Sequence, residues 1–268
     1  MTNPFKADVL VVKLSGKALT ADKALDAFFA ALADSAANAE RTRVVLVHGG
    51  GVEVDALMRG LGRPIDRIEG LRVSPAEDMP VIAGALAGTC SLKLRGAAQR
   101  AGLMPLGLCA TDAGIGRVVP ADPRLGRVGV IEPGDSAAKR RLQALLDAGF
   151  TPVISSVGMD AAGALWNINA DDAAVASAAL LGAPLIFLSD VPGVLDANKH
   201  LFEQLNEKQA ETLIAEGVIS GGMTVKVRAA FRAAAMTGKP VAAASVFDPM
   251  LPNKLASGQL PGTTFTLE

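Results

Sequence analysis

Two features in the first part of the sequence could together hold a transferable phosphate group. Lys13 lies near the end of the apolar run 9–14, just before Gly16, and a second apolar run, 44–48, leads directly into three glycines at 49–51. Glycines between a strand and a helix can turn their N–H groups toward a ligand, and the N-terminal end of a helix attracts anions. A tight turn alone needs only one glycine, so three favour an anion site. We therefore expect a cation and a glycine turn to form a phosphate cradle.

A second lysine is placed in a similar way. Lys226 follows Gly221 and Gly222, and the pattern predicts that it lies in the first turn of a helix. A cation there opposes the helix dipole by about 0.3–1 kcal/mol unless an anion lies nearby. Lys226 therefore indicates another phosphate contact, contributed by the C-terminal part of the chain.

Polar residues also lie beside two other predicted elements, a helix and a strand. Asn167, Asn169 and Asp171 precede an Ala-rich helix predicted at 173–181. Helix capping explains Asn169 and Asp171 without any function, but it does not explain Asn167. The pair at 189–190, Ser-Asp, ends an apolar run, and ligands collect at such strand ends in open parallel sheets. A turn with a capping aspartate explains that pair equally well.

The elements that position these residues can be read from the apolar pattern. Six short runs are almost continuously apolar, which is typical of central parallel strands covered on both faces. Helical patterns separate them, and strands joined by helices imply right-handed crossovers. This predicts an α/β protein, a three-layer α/β/α sandwich around a mainly parallel open sheet. The runs are Val9–Leu14, Val44–His48, Pro105–Cys109, Pro152–Ser156, Pro184–Ser189 and Pro240–Ser245.

Two local patterns add detail. Ser74–Glu77 matches a helix capping box with Pro75 at the first helical position, although Pro80 then falls inside the predicted helix. Arg117–Ile131 holds two β-rich runs around a turn, which predicts a β-hairpin that acts as a lid or rim.

Composition limits the class of ligand. The 268 residues are 50% hydrophobic and 20% charged, with a formal net charge of -1, so nothing favours nucleic acid or a membrane surface as a partner. No leader or membrane-spanning run is visible, and we expect a cytoplasmic protein that binds a small molecule. Cys90 and Cys109 lack the spacing of a metal site or of a disulfide framework.

Several common motifs are incomplete. Ser15–Ala18 lacks the upstream glycine and the hydroxyl of a P-loop, and the glycines at 49–51 do not complete the dinucleotide fingerprint. Ser136–Lys139 has the spacing of some acyl enzymes, but it opens a helix, so capping is the better explanation.

In combination, these residues resemble the amino acid kinase family over nearly the whole chain. The lysine, the glycine triplet and the Ser-Asp pair are shared across the family. The segments 70–73 and 167–171 together resemble those of the family members that phosphorylate N-acetyl-L-glutamate. Ser15 departs from the pattern, because a glycine is commoner there. The matching segments are Lys13 with Gly16, Val47–Gly51, Gly70–Val73, Leu86–Gly88, Asn167–Asp171, Leu188–Asp196 and Gly222–Lys226.

The resemblance implies phosphoryl transfer from MgATP to the γ-carboxylate of N-acetyl-L-glutamate, an early step of arginine biosynthesis. It implies that Lys13 and Lys226 stabilise the transferring group and that Asp171 organises both lysines. Mg²⁺ would be held mainly by ATP oxygens and water, without a protein ligand to the metal. The other implied contacts are Gly49, Gly50, Arg72 and Asn167 for the acid substrate, and Lys13, Gly16, Ser189, Asp190, Met223 and Lys226 for the nucleotide.

The resemblance also implies two lobes and a dimer. Residues 1–181 would bind the acid and dimerise, and residues 182–268 would bind ATP. The sequence starts almost directly at its first strand, which leaves no room for the N-terminal helix of hexameric relatives. We therefore expect a homodimer that arginine does not inhibit.

Other activities stay open on sequence grounds. A sibling kinase acting on carbamate, aspartate, glutamate or a nucleoside monophosphate would share the lysines and glycines, and an N-protected aminoadipate is only one methylene longer than acetylglutamate. A nucleotide-binding regulatory protein without turnover and a dehydrogenase on a doubly wound sheet belong to other classes. The incomplete glycine fingerprint disfavours the dehydrogenase.

Overall fold

The computed structural model of the chain describes residues 8–36, 43–256, 259 and 261–267. Its strands are β1 Val9–Leu14, β2 Arg43–His48, β3 Arg67–Ile68, β4 Leu71–Arg72, β5 Pro105–Cys109, β6 Gly116–Pro120, β7 Val128–Pro133, β8 Thr151–Ser155, β9 Val157–Met159, β10 Leu165–Ile168, β11 Leu185–Ser189, β12 Gln204–Asn206, β13 Val241–Ser245 and β14 Thr263–Thr266. Its α-helices are α1 Asp22–Ala36, α2 Gly51–Gly60, α3 Met79–Ala83, α4 Ser91–Arg100, α5 Ser136–Asp147, α6 Ala170–Leu181, α7 Glu207–Ala215, α8 Gly222–Thr237 and α9 Leu251–Ala256.

The main sheet follows from the apolar runs. Its strands are ordered β12-β14-β13-β11-β1-β2-β8-β5 within the described residues, and every neighbouring pair is parallel except β13 with β14. The six predicted runs correspond to β1, β2, β5, β8, β11 and β13, with ends that differ by at most one residue. The predicted three-layer α/β/α fold is confirmed.

Side chains of β1 alternate between the two faces of this sheet. Leu10 and Val12 pack in a hydrophobic cluster with residues of α1 and α4. Val9 and Val11 pack in a second cluster, with residues of α6 and α8. Because a strand has a period of two, Lys13 projects on the α6 and α8 side. The strand pattern therefore aims this lysine at the helices that carry Asp171 and Lys226.

The predicted hairpin is confirmed as β6 paired antiparallel with β7. It belongs to a four-stranded sheet, β6-β7-β10-β9, whose last two strands the sequence pattern did not predict. β10 runs parallel to β7, and Asn167 lies opposite Val128. The hairpin is thereby tied to the strand that carries a predicted substrate contact.

The capping box predicted at Ser74 is wrong. A 3₁₀ turn, Ala76–Asp78, follows Pro75 and has no side-chain cap. α3 begins only at Met79, so Pro80 lies at its second position, where the missing N–H leaves no helical bond unmade. A π-helical segment, Gly84–Cys90, then connects α3 to α4.

Two helix starts also differ from prediction. α6 begins at Ala170 rather than at residue 173, and Asn169 is its N-cap as expected. Lys226 is the fifth residue of α8, so its predicted place in the first turn is wrong by one position. Within the described ranges, no helix combines the length and the apolar character needed to cross a bilayer.

Candidate active site

A buried ion pair joins β1 to α6. The Lys13 ammonium lies 2.7 Å from Asp171 Oδ1, and the two side chains are only 10% and 13% exposed. Asp171 lies in the first turn of α6, where its backbone N–H donates to Asn169 Oδ1 at 2.9 Å. The cap fixes the start of the helix, and the start of the helix places the carboxylate against Lys13.

The ion pair still leaves a Lys13 donor free for a ligand. The 2.7 Å contact involves a single carboxylate oxygen of Asp171, whereas an ammonium group carries three N–H donors. At least one Lys13 proton is therefore available to a further acceptor.

Lys226 of α8 belongs to the same cluster of charges. Burial lowers the pKa of Lys226 below its ordinary value, and the Lys13 charge lowers it further, while Asp171 and Asp190 act in the opposite direction. α8 is fixed to α6 by an ion pair between Arg232 and Asp172. The structure thus brings together the three residues predicted to be catalytic, from both halves of the sequence.

Asp190 and a lysine that the sequence interpretation did not select lie at the edge of this cluster. Lys17 Nζ is 2.7 Å from Asp190 Oδ2. The hydrogen bond from Lys17 is the main cause that lowers the pKa of Asp190, and the Lys226 charge also lowers it. Lys17 follows Gly16 in the turn after β1, so its position in that turn was the available signal.

The residues predicted to bind the acid line one cavity. Gly49, Gly50, Arg72 and Asn167 all face a cavity of about 240 Å³. Pockets for drug-sized ligands measure roughly 300–1,000 Å³, so this cavity suits a smaller molecule. Asn169 and Ala170 also line it, and they lead directly into Asp171.

Arg72 is held ready for an anion. Its Nη2 donates to an Asp55 oxygen and, at 3.3 Å, to the Gly51 carbonyl. Its side chain is only 8% exposed, and Nη1 has no hydrogen-bond partner within the part of the chain that the structure describes. A buried guanidinium with one free arm can bind a carboxylate without first breaking a bond.

Asp55 is a second residue that the sequence interpretation missed. It accepts from Arg67 at 2.8 Å as well as from Arg72. Burial acts to raise the Asp55 pKa, but the hydrogen bonds and charges of the two arginines outweigh it and lower that pKa. The sequence signal was weak, because an aspartate one turn into a helix looks the same in sequence whether it is exposed to solvent or paired with arginines.

The glycine turn between β2 and α2 is closely packed. A Cβ on Gly50 would lie 2.4 Å from Cys90 Sγ and 3.1 Å from Leu86 Cδ2, so only glycine fits there. A Cβ on Gly16 would lie 3.5 Å from Gly51 N, an ordinary contact. The turn after β1 and the turn after β2 therefore lie side by side, as parallel neighbouring strands require.

His48, at the end of β2, supports this turn as a neutral side chain. The ring is fully buried, and burial lowers its pKa to about 4 although a hydrogen bond to Gly49 O opposes the shift. Nδ1 lies 2.9 Å from that oxygen. Because a neutral ring donates from the nitrogen that faces a carbonyl, His48 holds the backbone of the turn without adding charge.

The other predicted nucleotide contacts lie near the end of β11 and the start of α8. Ser189 is buried at the end of β11, and its carbonyl accepts from Val246 N at 2.9 Å. Met223, at the second position of α8, packs against the hydrophobic core. Leu14 of β1 pairs with Leu188, so Ser189 and the Gly16 turn follow neighbouring strand ends.

A larger cleft lies elsewhere. About 570 Å³ is enclosed between α1 and residues 246–251, and it contains none of the predicted site residues. Its lining is mostly apolar, and its charged residues are two carboxylates, Asp22 and Asp248, beside the single cation Lys23. Since anion binding needs cations and N–H donors, we assign the chemistry to the smaller cavity and the lysine cluster.

The sequence matches known proteins over almost its full length. A family model described as the amino acid kinase family matches residues 8–244. A Vibrio vulnificus (strain YJ016) protein named acetylglutamate kinase is 47% identical over 265 residues, with 99% of each chain covered. Proteins with the same name from Vibrio cholerae O395 and Aeromonas salmonicida A449 are each 46% identical, with 96–97% of this chain and 98% of theirs covered.

Solved structures have the same fold. A Streptococcus mutans UA159 protein, smu.665, superposes with a TM-score of 0.79 at 26% identity, covering 97% of this chain and 99% of its own. N-acetylglutamate synthase from Neisseria gonorrhoeae, complexed with coenzyme A and N-acetyl-glutamate, superposes with a TM-score of 0.81 at 24% identity, covering 97% of this chain and 59% of its own. A carbamate kinase from Giardia superposes with a TM-score of 0.67 at 17% identity, covering 97% of this chain and 99% of its own. The last two similarities concern the fold alone.

Proposed function

The chain belongs to the amino acid kinase family, and from this premise we propose how its residues perform the reaction of its relatives. It catalyses the ATP-dependent phosphorylation of the γ-carboxylate of N-acetyl-L-glutamate, an early step of arginine biosynthesis. The products are N-acetyl-L-glutamyl 5-phosphate and ADP. The observation that carries the residue assignment is the Lys13–Asp171 ion pair with Lys226 in the same charge cluster.

The chemical step needs positioning and charge stabilisation. A carboxylate nucleophile is already ionised at neutral pH, so no general base is required. Negative charge spreads over the equatorial and bridging oxygens of the transferring group, and cations fixed in advance stabilise it. Lys13 and Lys226 are these cations, and Asp171 is the organiser that sets their positions.

The acid substrate occupies the cavity lined by Gly49, Gly50, Arg72 and Asn167. Arg72 Nη1 binds the α-carboxylate, because it is the buried donor left free when Asp55 and Gly51 O hold Nη2. The N–H groups at Gly49 and Gly50, beside the start of α2, bind oxygens near the reacting carboxylate. Asn167 contacts the remaining polar groups.

ATP lies on the other side of the lysine cluster. Gly16, Ser189, Asp190 and Met223 belong to the nucleotide site, and Lys13 and Lys226 reach its terminal phosphates. Among the described residues, no group of three or more His, Cys, Asp or Glu is placed to hold a metal ion. We assign Mg²⁺ to the ATP oxygens and water, where it neutralises phosphate charge.

The assignment divides the chain into two functional lobes. Residues 1–181 contain the acid cavity and Asp171, and residues 182–268 contain Asp190, Met223 and Lys226. Transfer then takes place where the lobes meet.

We also propose a homodimer, formed by the first lobe, that works in the cytoplasm. Leu92 and Met104 of that lobe are 60% and 57% exposed, and an interface would remove this apolar surface from water. Light scattering that gives the 27.4 kDa of one chain would contradict the dimer.

A coupled ADP-release assay tests the function. The purified protein with MgATP should turn over N-acetyl-L-glutamate, and it should respond weakly or not at all to L-glutamate, L-aspartate and carbamate. N-acetyl-L-aminoadipate should be poorer by roughly 10–200-fold, the usual cost of one methylene in a fitted pocket. Equal or faster ADP release with any of these acids would overturn the assignment.

Substitution of Arg72 tests the site within the same assay. Arg72→Ala should raise the KM for N-acetyl-L-glutamate by at least about tenfold and leave the KM for ATP nearly unchanged, because a charged hydrogen bond to the carboxylate is lost. Arg117→Ala, an exposed arginine of β6, is the matched control and should change neither constant. An unchanged KM for the acid in Arg72→Ala would refute the role of Arg72.

A further inference from the structure

Ser74 lies between three parts of the acid site, although it does not line the cavity itself. Its side chain is completely buried. Its backbone N–H donates to Leu125 O at 2.9 Å, and its carbonyl accepts from Arg127 N at 2.7 Å. These bonds attach Ser74 to the loop between the hairpin strands β6 and β7. Gly126 can pack against Ser74 only because it has no Cβ, since a Cβ there would lie 2.7 Å from Ser74 O.

The Ser74 hydroxyl connects two residues that line the acid cavity, Arg72 through its backbone carbonyl and Asn167 through its side chain. Oγ lies 3.3 Å from the carbonyl oxygen of Arg72 and 3.1 Å from Asn167 Nδ2. A backbone carbonyl can only accept, so the single hydroxyl proton is donated to Arg72 O. The hydroxyl oxygen is then available to Asn167 only as an acceptor.

This fixes which end of the Asn167 amide faces Ser74. The NH₂ group donates to Ser74 Oγ, so Oδ1 is the group that Asn167 offers to the cavity it lines. With the amide reversed, Asn167 Oδ1 and the Arg72 carbonyl would compete for the single hydroxyl proton of Ser74. That arrangement would lose one buried hydrogen bond and leave one acceptor without a donor.

We propose that Ser74 is a positioning residue that holds the Asn167 amide with its carbonyl toward the ligand, so that the acid site selects substrates with an N–H donor at this point. The inference rests on the proposed function, in which Asn167 contacts the acid. An N-acyl amino acid carries such a donor on its amide nitrogen. The corresponding O-acyl hydroxy acid has the same shape and the same carboxylates but carries an oxygen there.

The test compares these two substrates, N-acetyl-L-glutamate and (S)-2-acetoxyglutarate, in the ADP-release assay. The unsubstituted protein should prefer the amide over the ester in kcat/KM by on the order of 10–100-fold, because the ester leaves Asn167 Oδ1 facing a second acceptor. In Ser74→Ala the Asn167 amide can turn its NH₂ to the ester oxygen, and the preference should fall to within about threefold.

The ratio separates positioning from a merely structural role. If Ser74 only attached the hairpin loop, Ser74→Ala would slow both substrates equally and leave their ratio unchanged, which would overturn the proposal. The active fraction of each preparation cancels in the ratio. Ser74→Thr keeps the hydroxyl and should retain the preference. Ser74→Cys keeps the volume and weakens the bond, so it gives the same test if the alanine variant does not fold.

The failure of this inference can be distinguished from failure of the proposed function. If the unsubstituted protein releases no ADP with N-acetyl-L-glutamate, the function itself is wrong. If it turns over the amide and the ester equally well, the function stands and the role of Ser74 is overturned. That second result needs no variant.

Discussion

Lys226 carries its charge in a position that burial and a neighbouring lysine make unfavourable. Both causes lower its pKa, and an anion bound between Lys226 and Lys13 would relieve them. The free protein therefore stores an electrostatic cost, which under the proposed function the phosphates of ATP would remove. Asp171 offsets part of that cost and keeps the two lysines in one cluster.

The lowered pKa of Lys226 predicts a pH dependence of stability and of activity that can be tested. An unfolded lysine has a pKa of about 10.4, and the folded Lys226 loses its proton at lower pH because its pKa is lowered. Between the two values the unfolded chain holds one more proton, so this residue makes stability rise with pH in that window. Because the charged form binds phosphate, kcat/KM for ATP should begin to fall at lower pH than an ordinary lysine would dictate.

A variant series checks this prediction. Lys13→Met removes a positive neighbour, so the pKa of Lys226 should rise and the alkaline limb of the residual activity should move to higher pH, while turnover falls by roughly two to three orders of magnitude. Lys139→Met, on the exposed side of α5, is the control and should leave the profile unchanged. An alkaline limb that stays fixed in Lys13→Met would contradict the assignment.

The sequence indicated some of the proposed site residues and not others. Lys13, Arg72 and Asn167 could be predicted because they lie beside strand ends and within recognisable segments. Asp55, Lys17 and Ser74 act through tertiary contacts with partners that are distant in sequence. The separations are 17 positions for Asp55, 173 for Lys17 and 93 for Ser74. Nothing local distinguishes such residues from an ordinary helix aspartate, an exposed lysine or a helix cap.

Among the elements, the glycine turn and the π-helical segment depend on each other. Gly50 is the N-cap position of α2 and packs on Cys90, where the π-helical segment joins α4. Single-turn and short π-helical segments often occur at functional sites, since they shift the register of a helix face. Here Leu86 of that segment lines the acid cavity and Cys90 excludes any side chain at residue 50.

This packing predicts a rescue experiment. Gly50→Ala should lower kcat/KM by on the order of 100-fold, because displacing the turn by about 1 Å misplaces its N–H groups. Adding Cys90→Ala removes the sulfur that the new methyl group would meet, so the double variant should regain at least about tenfold. Leu86 can yield the remaining few tenths of an ångström.

The steady-state assay used for the other variants measures this rescue. Gly60→Ala, at the end of the same helix, meets nothing within 4 Å and is the matched control. Cys90→Ala alone should be nearly as active as the unsubstituted protein. A double variant no better than Gly50→Ala would show that the packing on Cys90 does not set the turn.

The elements also show why parts of the fold could be predicted. The central strands are continuously apolar because helices cover both faces, and that pattern identified β1, β2, β5, β8, β11 and β13. β3 and β4 are two residues long and β9 is three, so they are too short to show a period. The capping-box pattern at Ser74 failed because the tertiary contacts of its hydroxyl replaced the local cap.

On the scale of the whole molecule, the sheet connects the two halves of the sequence. β1 pairs with β11, and the charge cluster forms where these strands end beside α6 and α8. Motion of one proposed lobe against the other must therefore be accommodated without separating β1 from β11. The Arg232–Asp172 ion pair links the helices that carry Lys226 and Asp171 and would preserve their relative placement.

A crystal structure of the protein with MgADP, aluminium fluoride and N-acetyl-L-glutamate would test the roles of the two lysines, because the fluoride complex mimics the transferring phosphoryl group. We predict that the ammonium groups of Lys13 and Lys226 both lie within about 3 Å of that group or of the oxygens it bridges. A closed, fully liganded structure in which either ammonium lies beyond the reach of that group would contradict the proposed mechanism.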